Sequence, residues 1–265
     1  MLLENKQEQI IRTVSQIGNG AHIFAPKEWT NEKVLVIRIE RKNIKEEILE
    51  MLYPNLDKVI SVILFGSHAR KEESEDSDVD VLVIAKEKFT IPKKENYDFI
   101  VISEKNLQLA IKSNPILMYS AIKEGVPLIN QDYAEKLKEN KINFKLFSEF
   151  IESTKRAIKI NKEMIWLDKE TGKIASNSTI YSLILRLRGA FIIKSLLKNK
   201  IYSNNLFERW ITDNCDIEYL EIYNAYRSVR DNKKIKEKIP IKSEEILLDF
   251  LKEEIKKLEM LIKSK

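Results

Sequence analysis

The stretch FGSHARKEESEDSDVDVLVI, residues 65–84, places two aspartates inside an apolar run. Asp78 and Asp80 are separated only by Val79, so on a strand both side chains leave the same face. Two like charges this close repel each other, and burying either of them unpaired is costly. A bound divalent cation relieves both problems because hard Mg²⁺ prefers carboxylate oxygens. The spacing therefore predicts a magnesium site.

A third carboxylate is expected from the next apolar strand along the chain. Asp98, in NYDFIVIS, is the acidic residue embedded in that strand. It helps most if the two strands are neighbours and it lies at the same depth as the first pair. Three carboxylates around one pocket hold two metal ions, which together position a nucleophile and neutralise a phosphoryl leaving group.

The turn that precedes the two aspartates contains groups suited to phosphate. Gly66 lets the backbone approach a ligand closely, and the Ser67 hydroxyl with nearby N–H groups receives phosphate oxygens. Arg70 adds a charged, forked donor. His68 is interpreted as a position facing solvent or base, since metal-assisted transfer does not require a histidine. Each piece is weak alone, but the ordered combination predicts a nucleotide site.

Three zones of different periodicity must position these residues. Residues 1–42 contain two short β-like runs, AHIFA and KVLVIRI, punctuated by turn residues such as Gly18 and Pro26. About forty residues do not easily build a core of their own. We therefore expect this segment to pack on the rest of the chain or on its own copy in a dimer.

Residues 43–133 alternate between helical and strand patterns, which predicts a small α/β domain. A helix opens at Asn43 and ends at Pro54, and three buried strands follow in KVISVILFG, SDVDVLVIA and YDFIVIS. Residues 134–265 show almost purely helical periodicity, which predicts a bundle of four or five helices. The expected fold class is therefore α+β, with a small β segment at the N-terminus.

Composition excludes several classes of protein. The 265 residues carry 46 Lys and Arg against 41 Asp and Glu, a net charge of +5 that suits nucleotides but not a dedicated DNA coat. The single Cys215 rules out an intramolecular disulfide, and with only two histidines no zinc centre is expected. With no signal peptide and no apolar run of ~20 residues, we expect a cytoplasmic protein that does not enter membranes.

The segment GSHARKEESEDSDVDVLVI resembles the signature of the minimal nucleotidyltransferase group within the DNA polymerase β-like superfamily. The resemblance covers roughly residues 43–133. It implies a mixed sheet with flanking helices, an NTP substrate, most readily ATP, and two Mg²⁺ ions. It also implies transfer of a nucleotidyl group with release of pyrophosphate.

The same resemblance assigns roles to the three aspartates. Asp78 and Asp80 would ligate both metals, and Asp98 would bind the catalytic metal and help to deprotonate the acceptor hydroxyl. That hydroxyl belongs to a protein, an RNA end or a small molecule. Members of the group are frequently antitoxins that adenylylate a toxin protein, which favours a protein acceptor.

On the phosphate side, the resemblance implies that Gly66 and Ser67 hold the triphosphate. Arg70 either contacts phosphate or braces the loop. Lys71 departs from the commonest pattern, in which a glycine follows the arginine, and this puts the local shape of the loop in doubt.

The segment RTVSQIGNGAHIFAPKEWTNEKVLVIRI resembles half of a swapped-hairpin β-domain of the AbrB type, in which two copies interlock and basic residues can meet DNA. Arg12, Lys27 and Lys33 are the candidates for DNA contact, but three basic residues are too few to establish it, and dimerisation or docking is at least as well supported. These residues leave a rival function open: a DNA-binding regulator in which the transferase fold acts as a nucleotide sensor.

The C-terminal helices resemble the helical domains of kanamycin nucleotidyltransferase-like and HEPN-like proteins. HEPN ribonucleases need an arginine followed by a histidine on one helix, and YRSVRDNKK supplies Arg227 and Arg230 but no histidine. Ribonuclease activity of that kind is therefore not expected. Arg186, Arg188 and Arg230 either face the nucleotide cleft or form ion pairs among the helices.

Overall fold

The computed structural model describes residues 10, 12, 14–37, 43–74, 77–172, 174–234 and 238–264. The chain divides into two compact units, Met1–Asn43 and Ile44–Lys265. Among the described helices, none combines the length and the apolar character needed to cross a membrane.

The first unit contains a short hairpin of β1 (Ser15–Ile17) and antiparallel β2 (Gly20–His22). The run KVLVIRI was predicted as a strand, and that prediction is wrong for residues 33–37, which pair with no other strand in the described ranges. Its last two residues lie outside the described part. A β-prone run forms a strand only where a neighbouring strand completes its hydrogen bonds. No described residue from 10 to 43 is buried.

The second unit opens with α1 (Ile44–Leu52), which begins directly after Asn43 and buries one apolar face. Its strands and first helices follow in sequence order. They are β3 (Val59–Phe65), α2 (Gly66–Arg70), β4 (Val79–Ala85), β5 (Tyr97–Ser103), α3 (Leu107–Ser113), α4 (Pro115–Glu124), β6 (Val126–Ile129) and α5 (Gln131–Glu139).

The four strands form one sheet in the order β5-β4-β3-β6. β3 runs antiparallel to β4 and β6, whereas β4 and β5 run parallel. The sheet is therefore mixed, as the resemblance implied, and helices flank it on both faces. On one face Ile48 and Leu52 of α1 pack against alternate side chains of β3 and β4. On the other face Ile63 and Leu82 join the core of the helical region.

Within the described residues, five helices make up the predicted bundle. They are α6 (Ser148–Glu170), α7 (Asn177–Leu197), α8 (Asn204–Thr212), α9 (Tyr219–Arg230) and α10 (Ile241–Lys263). Their buried side chains and those on one face of the sheet belong to one continuous hydrophobic cluster. The α+β fold class is confirmed, and the bundle forms one compact unit with the sheet.

A buried acid at the start of α10 interrupts the apolar core of the bundle. Glu244, in the first turn of α10, has no exposed surface, and neither of its carboxylate oxygens has a hydrogen-bond partner among the described residues. The neighbouring Ser176 N–H donates instead to Asp168 Oδ2, 3.0 Å away. Burial, and then the negative charge of Asp168, raises the pKa of Glu244 to about 8.

This acid should make stability depend on pH. The folded pKa lies above the ordinary value, so the stabilising contribution is present at acidic pH and is lost as pH rises towards 8. We expect the free energy of unfolding of the wild type to fall between pH 5 and pH 9. In Glu244→Gln that fall should be smaller by about 1–3 kcal/mol, because no charge is buried. Urea titrations at both pH values measure the difference.

The exposed neighbour Glu245 provides the control. Its carboxylate pairs with Lys169 at 2.5 Å on the surface, so Glu245→Gln should leave the pH dependence unchanged. Parallel stability curves for the wild type and Glu244→Gln would contradict the assignment of the buried proton.

Candidate active site

The register between β4 and β5 places two of the predicted acids side by side. Asp80 lies directly opposite Asp98 on these parallel strands, so both side chains leave the same face of the sheet. Asp78 lies two residues before Asp80, just ahead of β4. On the other side of β4, Phe65 of β3 pairs with Asp80, so the turn at Gly66 begins at the same edge of the sheet.

Asp78 and Asp98 both lie close enough to Asp80 to affect its pKa. Asp80 is half-buried, and burial raises its pKa to about 6, with further contributions from the charges of Asp98 and Asp78. Asp78 and Asp98 are exposed. As the side chains lie, the described residues contain no group of three or more acidic, histidine or cysteine residues that could hold a metal ion. The acids thus share one edge of the sheet without closing into a ligand cluster.

Gly66 is required by its contact with Asp80. Its φ is +73°, and a Cβ at this position would lie 2.0 Å from Asp80 Oδ2. The close approach expected for a ligand is thus made by the carboxylate itself. The Gly66 N–H is already engaged, because it donates to Glu124 Oε1 at 3.2 Å. The Ser67 hydroxyl, by contrast, has no partner among the described residues, which leaves it available as a phosphate donor.

Arg70 makes the contacts of a brace. Its Nη1 donates to Glu124 Oε1 at 2.8 Å, and its Nε donates to Glu72 Oε2 at 3.1 Å. The guanidinium also lies 5.0 Å from the centre of the Tyr202 ring. With 8% of the side chain exposed, little of Arg70 faces solvent. A phosphate contact by Arg70 stays a prediction.

The loop after α2 is shaped by the residue that departs from the family pattern. Lys71 ends α2 with φ +58°, a left-handed conformation that a glycine adopts more easily. Farther along, Ser74 and Ser77 bond to each other, with the Ser77 N–H donating to the Ser74 carbonyl at 2.9 Å. The half-buried His68 ring has its Nε2 3.3 Å from the Ser77 carbonyl oxygen, so it contacts the end of this loop.

The three arginines singled out in the bundle contact groups within the bundle. Arg186 Nη1 donates to Ser153 Oγ at 2.9 Å, and Arg230 Nε pairs with the adjacent Asp231 at 2.6 Å. Arg188 lies 5.1 Å from the centre of the Tyr202 ring and reaches the Tyr226 hydroxyl at 3.4 Å. Of the two alternatives, ion pairing therefore describes Arg230.

Sequence reasoning missed two carboxylates that contact the turn. Glu124 ends α4 and holds both Gly66 and Arg70, and Glu72 accepts hydrogen bonds from Ser203 Oγ at 2.7 Å and the Asn204 N–H at 3.0 Å. One signal was available for Glu124, because an acid at the C-terminus of an apolar helix opposes the helix dipole. Glu72 stands in a run of acids, and nothing in the sequence distinguishes it.

Two comparisons of sequence decide the family. The family model for polymerase beta nucleotidyltransferases matches residues 46–134. A protein of Methanocaldococcus jannaschii, named "Putative protein adenylyltransferase MJ0141", is 39% identical over 82 residues, which are 31% of this chain and 79% of the relative. The chain belongs to the polymerase β-like nucleotidyltransferase family. The enzyme class predicted from the motif is thereby confirmed.

Solved structures resemble this nucleotidyltransferase more distantly. The spectinomycin adenyltransferase AAD(9) of Enterococcus faecialis, solved with ATP and spectinomycin, has a TM-score of 0.45 at 16% identity, covering 80% of this chain and 97% of that one. A toxin–antitoxin structure with AMP-PNP has a TM-score of 0.28 at 17% identity, covering 46% and 98%. These likenesses carry no argument about function. The resemblance of the N-terminal segment to the AbrB type stays a prediction.

The contact between Gly66 and Asp80 can be tested by adding a single methyl group. Gly66→Ala forces a Cβ into the Asp80 carboxylate and strains a left-handed backbone, and we expect a loss of about 1–3 kcal/mol of stability together with loss of nucleotide transfer. Gly172 is the matched control, with φ +63° but no atom within 4 Å of a Cβ. Urea denaturation of both variants separates backbone strain from the clash. Equal losses in the two would contradict a specific clash at Gly66.

Proposed function

We propose that this nucleotidyltransferase moves AMP from ATP to a hydroxyl group of a protein and releases pyrophosphate. The observation that carries the proposal is the pairing of Asp80 with Asp98 beside the turn of Gly66 and Ser67. This arrangement supplies carboxylates on one side and a phosphate donor on the other. The name of the Methanocaldococcus jannaschii relative supports a protein acceptor.

The donor set fits divalent cations. Two carboxylates in cross-strand register and a third two residues away offer only oxygen ligands, which suit Mg²⁺. The half-burial of Asp80 beside two like charges leaves a local excess of negative charge that a cation would neutralise. We assign Asp78 and Asp80 to both of two Mg²⁺ ions and Asp98 to the catalytic one. Bound there, the ions would neutralise charge on the phosphates.

The side chains of the site would then divide the work of transfer. The Ser67 hydroxyl would donate to the triphosphate and hold its α-phosphorus near the acids. Asp98 would take the proton of the acceptor hydroxyl as that oxygen bonds to the α-phosphorus. The bond from the α-phosphorus to the oxygen bridging to the β-phosphate breaks, and pyrophosphate leaves. An enzyme that consumes ATP in this way meets its substrate in the cytoplasm, which we keep as its proposed location.

Label transfer tests the proposal directly. The protein is incubated with Mg²⁺, host lysate and, in separate reactions, labelled ATP, CTP, GTP or UTP. We expect ATP to label a protein, which protease removes and ribonuclease does not. Changing a residue that supports a metal ligand lowers metal affinity or activity roughly 10–100-fold. Replacing the ligand itself, in Asp80→Asn, should therefore reduce labelling by at least about 100-fold.

Asp249→Asn is the matched control for this experiment. Asp249 pairs with Lys252 on α10 and its side chain is 73% exposed, so the same change of charge there should leave labelling intact. No labelling by the wild type, or equal labelling by the wild type and Asp80→Asn, would overturn the proposed function. Label that ribonuclease removes would instead make RNA the acceptor.

The N-terminal segment is proposed to pair with its copy in a second chain. Val34, Leu35, Val36 and Ile37 are 54%, 86%, 66% and 72% exposed, and no described residue of this unit is buried. Such a run is rich in strand-forming side chains, and no strand in the described ranges lies beside it. A second copy would supply the missing strand and cover the apolar side chains, so a homodimer explains the segment better than DNA contact does.

Light scattering after size exclusion measures this association. We expect the wild type to have the mass of two chains and Leu35→Asp/Ile37→Asp to have the mass of one, because two charges would lie on one face of the paired strands, among the apolar side chains that pairing covers. Met260→Asp, at a position 65% exposed on α10, should remain dimeric. A wild type of single-chain mass would contradict the pairing. Retarded mobility of random duplex DNA at low salt, relieved at high salt, would revive the DNA-binding regulator.

A further inference from the structure

Glu124 places a carboxylate beneath the turn that carries Ser67. It is the last residue of α4, and 4% of its side chain is exposed. Its Oε1 accepts from the Gly66 N–H at 3.2 Å and from Arg70 Nη1 at 2.8 Å. One oxygen atom therefore holds both the first and the last residue of α2.

Burying the Glu124 carboxylate costs free energy of folding. Its Oε2 is buried and has no hydrogen-bond partner among the described residues. Burial raises the pKa of Glu124, and the charge of Arg70 opposes that rise. A buried ion pair is often no more stabilising than apolar side chains of the same size. Stability alone thus does not explain a charged side chain at this position. The two hydrogen bonds by which Glu124 holds the turn do explain it.

A second carboxylate extends the contact into the helical bundle. Glu72 Oε2 accepts from Arg70 Nε at 3.1 Å, and Glu72 Oε1 accepts from Ser203 Oγ at 2.7 Å and from the Asn204 N–H at 3.0 Å. Ser203 is the N-cap of α8, so Glu72 lies at the positive end of that helix. Arg70 thus joins a carboxylate under the turn to a carboxylate at the bundle.

An aromatic ring packs the same junction from the bundle side. Tyr202 precedes the N-cap of α8, and its ring lies 5.0 Å from the guanidinium carbon of Arg70 and 5.1 Å from that of Arg188. Stacking of a guanidinium on a tyrosine fixes the plane of Arg70 as well as its position. Two ion pairs and one ring leave the Arg70 side chain little freedom.

We infer that Glu124 is a positioning residue for nucleotide transfer: it holds the Gly66–Ser67 turn at the height of Asp80 and ties that turn, through Arg70 and Glu72, to the helical bundle. The inference rests on the proposed function for its consequence, because the turn is what would hold the triphosphate. A displaced turn weakens contacts with the β- and γ-phosphates and leaves contacts with the nucleoside unchanged. Removing the Glu124 carboxylate should therefore weaken the binding of ATP and leave the binding of AMP nearly unchanged.

The first experiment needs no ligand. Hydrogen–deuterium exchange is followed in the peptide covering residues 65–70 for the wild type, Glu124→Gln and Glu135→Gln. Glutamine at 124 removes the charge that two donors share, so we expect exchange in this turn to become about tenfold faster or more. Glu135→Gln is the matched control, since Glu135 pairs with Lys138 on the surface of α5 and is 47% exposed. Unchanged exchange in a folded Glu124→Gln would overturn the brace.

The second experiment measures the affinities of ATP and AMP in the presence of Mg²⁺ by calorimetry. We expect Glu124→Gln to bind ATP about tenfold more weakly and AMP within about twofold of the wild type. Equal losses for both nucleotides would indicate general damage and would overturn the positioning role, as would an unchanged affinity for ATP. If Glu124→Gln does not fold, Glu72→Gln replaces it in both experiments, with the same pattern expected and the same outcomes overturning it.

The two experiments separate failure of the inference from failure of the proposed function. A wild type that binds no nucleoside triphosphate would reject the proposed function, and the role of the brace in nucleotide transfer would fall with it, whatever the exchange shows. A wild type that binds ATP, together with a Glu124→Gln variant that matches it in exchange and affinity, would reject the inference alone.

Discussion

The geometry of the whole site depends on two carboxylates that lie opposite each other on hydrogen-bonded strands. Asp80 and Asp98 are register partners on β4 and β5, and a register shifted by one residue would send one of them to the other face. The same register brings the end of β3 beside Asp80, where only a glycine leaves room for the carboxylate. The fold thus brings carboxylates together at one edge of the sheet, where burial of Asp80 and the like charges of its neighbours raise the pKa of Asp80.

Charged side chains hold the Gly66–Ser67 turn beside these acids. Glu124 and Glu72 flank Arg70, which places one positive charge between two negative ones at the junction of sheet and bundle. The hydrophobic core is continuous across this junction, so the apolar contacts hold sheet and bundle together while the charged groups determine the geometry of the turn. Charge-assisted hydrogen bonds are directional, whereas apolar contacts are not. This explains why an arginine is buried at a position where a leucine would pack without the cost of desolvating a charge.

The sequence predicts the local elements of this site well and their partners poorly. Periodicity and turn residues indicated the strands that carry Asp80 and Asp98 and a bundle of four or five helices, because these patterns depend on neighbours within a few positions. The contacts of Arg70 with Glu124 and of Ser203 with Glu72 join residues 54 and 131 positions apart, and no local pattern encodes such pairs. The prediction of a strand at residues 33–37 was wrong for a related reason. A strand needs a neighbouring strand, and the described residues do not supply one.

The extent of the family resemblance separates shared chemistry from what is particular to this chain. The family model matches residues 46–134, and the Methanocaldococcus jannaschii relative covers 31% of the chain. The bundle lies beyond the residues that the family model matches, yet it contacts the loop between the turn and Asp78. Ser203 donates to Glu72 near the start of that loop, and Arg227 Nη2 lies 3.5 Å from Ser74 Oγ farther along it. The proposed site thus lies in the part that the family model matches, whereas the support of its Gly66–Ser67 turn comes partly from helices outside that part.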